Sequence, residues 1–137
     1  MNKDNEEKMR PEISTKITAH QNPLKVNLAG LKIKDDEIAE IMAYIKDNKP
    51  TTTKIDLDNN LITDKGAKIL SEYFRDFNDL QEISIQFNKI GKSGAIELFR
   101  LKNDFSSLDI LLHGNNITDV REMDDIEQLA RSETYRP

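Results

Sequence analysis

The sixteen residues from Ile55 to Leu70, IDLDNNLITDKGAKIL, return in altered form as ISIQFNKIGKSGAIEL from Ile83 to Leu98. One offset, 83 − 55 = 28, carries Ile55 to Ile83, Leu57 to Ile85, Asn60 to Asn88, Ile62 to Ile90, Gly66 to Gly94, Ala67 to Ala95 and Leu70 to Leu98. Repeats of about 20–50 residues build stacked chains, because one unit cannot cover its own apolar face and needs its neighbour to do so. Within the unit the apolar period changes. Ile55 and Leu57 alternate with Asp56 and Asp58, as in a strand with one buried face, whereas Leu70 and Phe74 keep a helical spacing.

The repeat extends in both directions. Val26 and Leu28 take the places of Ile55 and Leu57 at an offset of 55 − 26 = 29, and Ile33 that of Ile62, but Leu31 stands where the asparagine is expected. This first unit is degenerate, as terminal repeats usually are. Asp35, Asp36 and Glu37 open its helix with acids at the positive end, Ile38, Ile41, Met42 and Ile45 form its apolar stripe, and Pro50 stops it. In the second unit Thr63-Asp64 is expected to cap the helix, and Gly66-Ala67 to permit close packing at its start. The third strand is expected to expose Ser84 and Gln86. A fourth unit places Ile110 and Leu112 inward with Asn115 in the asparagine position, an offset of 110 − 83 = 27. Choosing Asn116 instead would turn His113 into the core. A last helix, 119–130, presents Val120, Met123, Ile126 and Ala130 inward and closes the stack.

The ends read differently. Residues 1–23 form a polar tail, Met1 to Arg10, followed by a cap in which Ile13 and Ile17 cover the open end of the stack. Residues 24–132 form the repeat domain, and 133–137 a frayed tail. With 137 residues there is room for one domain. No apolar run approaches the ~20 residues of a membrane span, and MNKDNEEKMR is too polar for a secretory signal core, so a soluble, cytoplasmic protein is expected.

The pattern Ile55-x-Leu57-x-x-Asn60-x-Ile62 and its copies resemble the leucine-rich repeat, and lengths of 27 to 29 with Gly-Ala in the helix resemble its ribonuclease-inhibitor-like class. The resemblance implies an α/β fold. It would be a short right-handed solenoid of about four repeats, with a parallel sheet on the concave side and helices on the convex side. In that geometry Asn60, Asn88 and Asn115 face inward at the turn, where their amides can satisfy backbone groups the bend leaves unpaired.

Catalytic and cofactor chemistry finds little support. The chain has no cysteine, which removes thiolate nucleophiles, disulfides and zinc–thiolate sites. Asp56-Leu57-Asp58-Asn59-Asn60 begins like a calcium loop, but Leu61 replaces the turn glycine and Ala67 the bidentate glutamate. Gly91-Lys92-Ser93 lacks the glycine-rich residues that cradle phosphate before it. The two histidines, His20 and His113, have no serine and acid in a matching frame. A non-enzymatic protein without metal or cofactor is expected. A net charge of −5, with no interleaving of basic and aromatic residues, argues against nucleic acid.

The outward strand positions are where folding demands least and side-chain choice therefore informs most. They read Lys25, Asn27, Ala29 and Gly30, then Lys54, Asp56, Asp58 and Asn59, then Glu82, Ser84, Gln86 and Phe87, then Asp109, Leu111, His113 and Gly114. Phe87, Leu111 and His113 would lie close together with Asp56 and Asp58 beside them, an apolar spot rimmed by acids. Asp56, Asp58, Gln86, Phe87, Leu111 and His113 are therefore the expected contact for a protein or peptide of basic character. Two readings of Phe87 stand at this point: an exposed anchor, or a core residue packed over the strand-to-turn edge.

Three further expectations concern biology. Lys, Asn and Ile used in preference to Arg and Ala point to an AT-rich genome, and ribonuclease-inhibitor-like repeats in such bacteria resemble host-directed effectors. The acidic C-terminal run REMDDIEQLARSETYRP resembles a translocation signal of intracellular bacteria, which would carry the chain into a host cell by a non-Sec route. As an alternative to simple binding, similar repeats regulate GTP hydrolysis. That activity needs a positioned Arg or Asn, and of these the exposed strand ends offer only Asn, Asn59 among them. Self-association through the open ends of the sheet is the third expectation.

Overall fold

The computed structural model describes residues 9–117 and 120–132. Helix α1 (Pro11–Ala19) leads into strand β1 (Lys25–Asn27), and then strand and helix alternate: α2 (Ile38–Asn48), β2 (Lys54–Asp56), α3 (Asp64–Phe74), β3 (Glu82–Ser84), α4 (Lys92–Phe99), β4 (Asp109–Leu111) and α5 (Val120–Arg131). A 3₁₀ turn, Asp35–Glu37, precedes α2, and another, Arg100–Asn103, follows α4. The strands form one parallel sheet in the order β1-β2-β3-β4. Val26 pairs with Ile55, Ile55 with Ile83 and Ile83 with Ile110, so the sequence offsets of 29, 28 and 27 are the sheet register. Parallel neighbours require a long crossover, and here each crossover carries a helix that packs on the next helix in line. Among the described residues no helix is long and apolar enough to cross a membrane.

The core lies between sheet and helices. Val26, Ile55, Ile83 and Ile110 project into it from the strands, and Ile41, Met42, Ile45, Leu70, Phe74, Ala95, Leu98 and Ile126 meet them from the helices, all buried. Phe77, Leu101 and Leu108, in the connections back to the strands, are buried as well, although no repeat matched them. Ile13 and Ile17 of α1 are fully buried and close the first unit, as their spacing predicts. Arg10 is no part of a free tail: its guanidinium donates to the Leu31 carbonyl at 2.6 Å and pairs with Glu37 at 2.9 Å. The expectations for Met1 to Lys8, for the start of the last helix at Asp119 and for residues 133–137 lie outside the described residues, as does the side chain of Val120.

Asparagine side chains join unit to unit. Asn60 Nδ2 donates to the carbonyl of Leu57 in its own unit (2.9 Å) and of Leu28 in the preceding one (3.0 Å), while Oδ1 accepts the Ile33 amide at 2.9 Å. Asn88 repeats this with Ile85, Leu57 and Ile62, and Asn115 with Leu112, Ile85 and Ile90. Each amide therefore bridges matched backbone groups of two neighbours. The first unit has no predecessor to bridge, which is why Leu31 suffices there.

The helix caps correct the local reading. Thr63 occupies the N-cap of α3 but makes no capping bond of its own. Its backbone amide and hydroxyl both donate to Asp35, one unit earlier. Asp64 likewise caps the next helix, α4, accepting the Gly91 and Gly94 amides at 2.7 and 3.0 Å. The carboxylate thus meets the positive end of a neighbouring helix. Gly66 and Gly94 are needed because a Cβ there would stand 2.2 Å and 2.6 Å from the Asp35 and Asp64 oxygens.

Replacing Asn88 by Ala strands buried carbonyls in two units and is expected to cost about 3 kcal/mol of unfolding free energy, against under ~0.5 kcal/mol for Asn116→Ala at an exposed neighbour. Paired denaturant titrations compare the two. Equal losses would refute the assignment of Asn88 as the bridging residue.

Candidate functional site

Each strand leaves the sheet through a turn that needs one residue in the left-handed region. Gly30, Asn59, Phe87 and Gly114 fill that place in the four units, with φ of 70°, 59°, 56° and 77°. Glycine and asparagine reach this conformation readily, whereas a bulky side chain there costs about 1–2 kcal/mol. Phe87 is nevertheless 51% exposed. Its ring lies over Gly114, where a Cβ would approach ring Cδ1 to 2.4 Å, and the His113 ring meets it edge-on with centroids 6.0 Å apart at 88°. The core reading of Phe87 is thereby set aside. Leu111, 39% exposed and in register with Ser84, extends the same apolar spot.

The polar half of the expected set is mostly spent on the fold. One oxygen of Asp58 accepts the Ser84 hydroxyl and the Gln86 amide, each at 2.7 Å, and Gln86 Nε2 reaches the other at 3.3 Å. These bonds cover Ser84, which is 3% exposed, so the expectation that it faces solvent fails. Asp58 and Gln86 therefore brace β2 against the turn that carries Phe87. Asp56 accepts the Asp58 amide at 2.9 Å, and its carboxyl faces that of Asp58 closely enough for the two to share a proton. Burial, with the Asp58 charge adding to it, pushes the Asp56 carboxyl above the usual carboxylate range. Lys54 pairs with Glu82 at 3.1 Å across the sheet.

The structure thus joins Phe87 to His113, with Leu111 alongside, and Asp56 to Asp58 and Gln86. Sequence reasoning missed Gly114 as the seat of the aromatic ring, although its alignment with Gly30 in the fourth unit was the available signal. Asn59 is accounted for by its left-handed turn position. His20 accepts the Asn22 amide through Nδ1 at 3.1 Å. Among the described residues no three of His, Asp and Glu converge as metal ligands would.

Asp56→Asn keeps the bond to the Asp58 amide, as Asn27 does for Ala29 at the matched position. A carboxyl raised by folding adds stability below its unfolded value of about 3.9, and this is lost as pH rises through the raised folded value. The variant is therefore expected to gain more over wild type at pH 7 than at pH 4. Urea midpoints at the two pH values check this, and a gain independent of pH would contradict it.

No family model matches the chain, and no curated protein matches it. Among solved structures it is similar to "Leiomodin-1 Actin-Binding Site 2 (ABS2)", at a TM-score of 0.66 and 16% identity, over 84% of this chain and 68% of that one. At that identity the likeness is one of fold, an α/β chain of leucine-rich-repeat kind built on a parallel sheet.

Proposed function

We propose that the chain is a protein-interaction module whose outer sheet face engages a protein or peptide through Phe87, Leu111 and His113. Asp56 adds an acidic rim, and Asp58 and Gln86 hold the turn in place. The observation that carries this is Phe87. An aromatic ring kept half exposed, in a backbone conformation that disfavours it, and seated on a glycine where it would not tolerate a Cβ, has no explanation in core packing. Exposed aromatics at the centre of a patch are typical anchors of binding energy. The Asp56–Asp58 carboxyl pair suits a basic group on the partner.

Repeat lengths of 27 to 29 support a short solenoid of the ribonuclease-inhibitor-like class, whose concave side would be this face. The fold neighbour is named for binding actin, which makes actin the first protein to try as a probe. A host-directed role and regulation of GTP hydrolysis gain no support from any feature of the face.

Phe87→Asn installs the residue of the second unit at the same turn. Relief of the backbone and loss of half-buried contacts offset each other, so stability is expected to stay within about 1 kcal/mol, against about 3–5 kcal/mol lost for Phe74→Ala in the core. Partner capture is expected to fall at least tenfold. Calorimetric melting and quantitative affinity capture, run on both variants with actin included, decide it. Undiminished capture by a folded Phe87→Asn protein would remove this face from the function.

A further inference from the structure

The two ends of the sheet differ. At β1 the outward backbone groups on either side of Asn27 are occupied: the Lys25 amide donates to the Asn22 carbonyl, and the Ala29 amide to the Asn27 side chain at 3.1 Å. The buried Lys49 ammonium reaches the Lys25 carbonyl at 3.2 Å while also holding the carbonyls of His20 and Asn22. Burial pulls Lys49 below the usual lysine range, the cost of plugging that edge. At β4 nothing comparable exists among the described residues. Asp109 donates to Gln81, while Leu111 and His113 accept from Ile85 and Phe87, so the odd-numbered residues face β3. The alternating ladder then turns the N–H and C=O of Ile110 and the N–H of Leu112 outward. Ile110 keeps 8% exposure where Ile55 and Ile83 keep none.

The side chains on this open edge complement their own reversed order. With Leu111 as the centre, an antiparallel copy places Leu111 opposite Leu111 and Asp109 opposite His113, since 109 + 113 = 2 × 111. Ile110 then faces Leu112, and these are the residues whose backbone points outward. At each of two symmetry-related places the Leu112 N–H can donate to the Ile110 carbonyl, and the Ile110 N–H to the second lone pair of the Leu112 carbonyl, whose first already holds Asn115 Nδ2. Asp109, Leu111 and His113 share the exposed face and would form close, non-hydrogen-bonded pairs, where side-chain contact is greatest.

We propose that this edge is a homodimer contact. Two chains would join β4 to β4 antiparallel about a two-fold axis through Leu111, giving one eight-stranded sheet with a Leu–Leu centre flanked by two Asp109–His113 pairs. An extended peptide could satisfy the backbone alone, but the self-complementary order of acid, leucine and imidazole selects a second copy. The contact is isologous and uses both β4 edges about the two-fold axis, so assembly through it closes at two. The contact is small and belongs to the weak, transient class. It goes beyond the partner-binding reading and is tested with the purified chain alone.

The experiment is sedimentation equilibrium of the full chain up to ~1 mM, where even ~4 kcal/mol of association leaves a large share dimeric. Wild type is expected to show a monomer–dimer equilibrium without larger species. Asp109→Lys sets Lys against His113, and His113→Asp sets Asp against Asp109; each alone is expected to weaken dimerisation at least tenfold. An equimolar mixture of the two sets the introduced lysine against the introduced aspartate at one place and keeps the native Asp109–His113 pair at the other, and is expected to form heterodimer, which also shows that both variants are folded. A monomeric wild type, single variants that dimerise as wild type does, or a mixture that stays monomeric would each overturn the proposal.

Discussion

The structure rests on an amide that serves two masters at once. Asn60, Asn88 and Asn115 each hold a carbonyl of their own unit and the matched carbonyl of the unit before, and each also takes an amide from that earlier unit. Strands of three residues offer few ladder bonds, and buried backbone groups left unpaired at the turns would cancel much of what apolar burial gains. The asparagine makes the turn self-satisfying and fixes the spacing of neighbours in the same act. Apolar residues at matched positions then find one another without further specification.

A second set of contacts runs in the opposite sense. Asp35 and Asp64 reach forward to the first turn of the helix that follows, so the helix layer is stitched by charge where the sheet is stitched by amides. Glycine at the helix start leaves room for the carboxylate. Together these contacts leave the side chains of Phe87, Leu111 and His113 on the sheet's outer face free of such duty, and they can answer to something other than folding.

The repeat made much of this legible. Offsets of 29, 28 and 27 gave the strand register, and the helical stripes gave the core, because both follow from the period of apolar residues along the chain. Contacts between units at non-matching positions were harder to see. Asp35 lies 28 residues from Thr63, and nothing in either residue says that one caps the other's helix. Ser84 alternates correctly for exposure, yet the Asp58 and Gln86 side chains fold over it. Phe87 could be placed on the outer face by register alone, but its exposure depends on the sign of one backbone angle, which a phenylalanine in the sequence would normally argue against.

Because the asparagine reaches back and the aspartate reaches forward, a unit is not interchangeable with its neighbours. Cutting the stack before its second unit would leave Asn60 without the Leu28 carbonyl and the Leu31 and Ile33 amides, and the start of α3 without its carboxylate. Cutting before the fourth would take Asn115 from the Ile90 amide and the Ile85 carbonyl, and would also strip the Ile85 and Phe87 amides and the Gln81 and Ile90 carbonyls of their partners. Each cut therefore strands its own set of backbone groups, and the end from which the stack is shortened decides whether the orphans are asparagine side chains or the backbone they would have held.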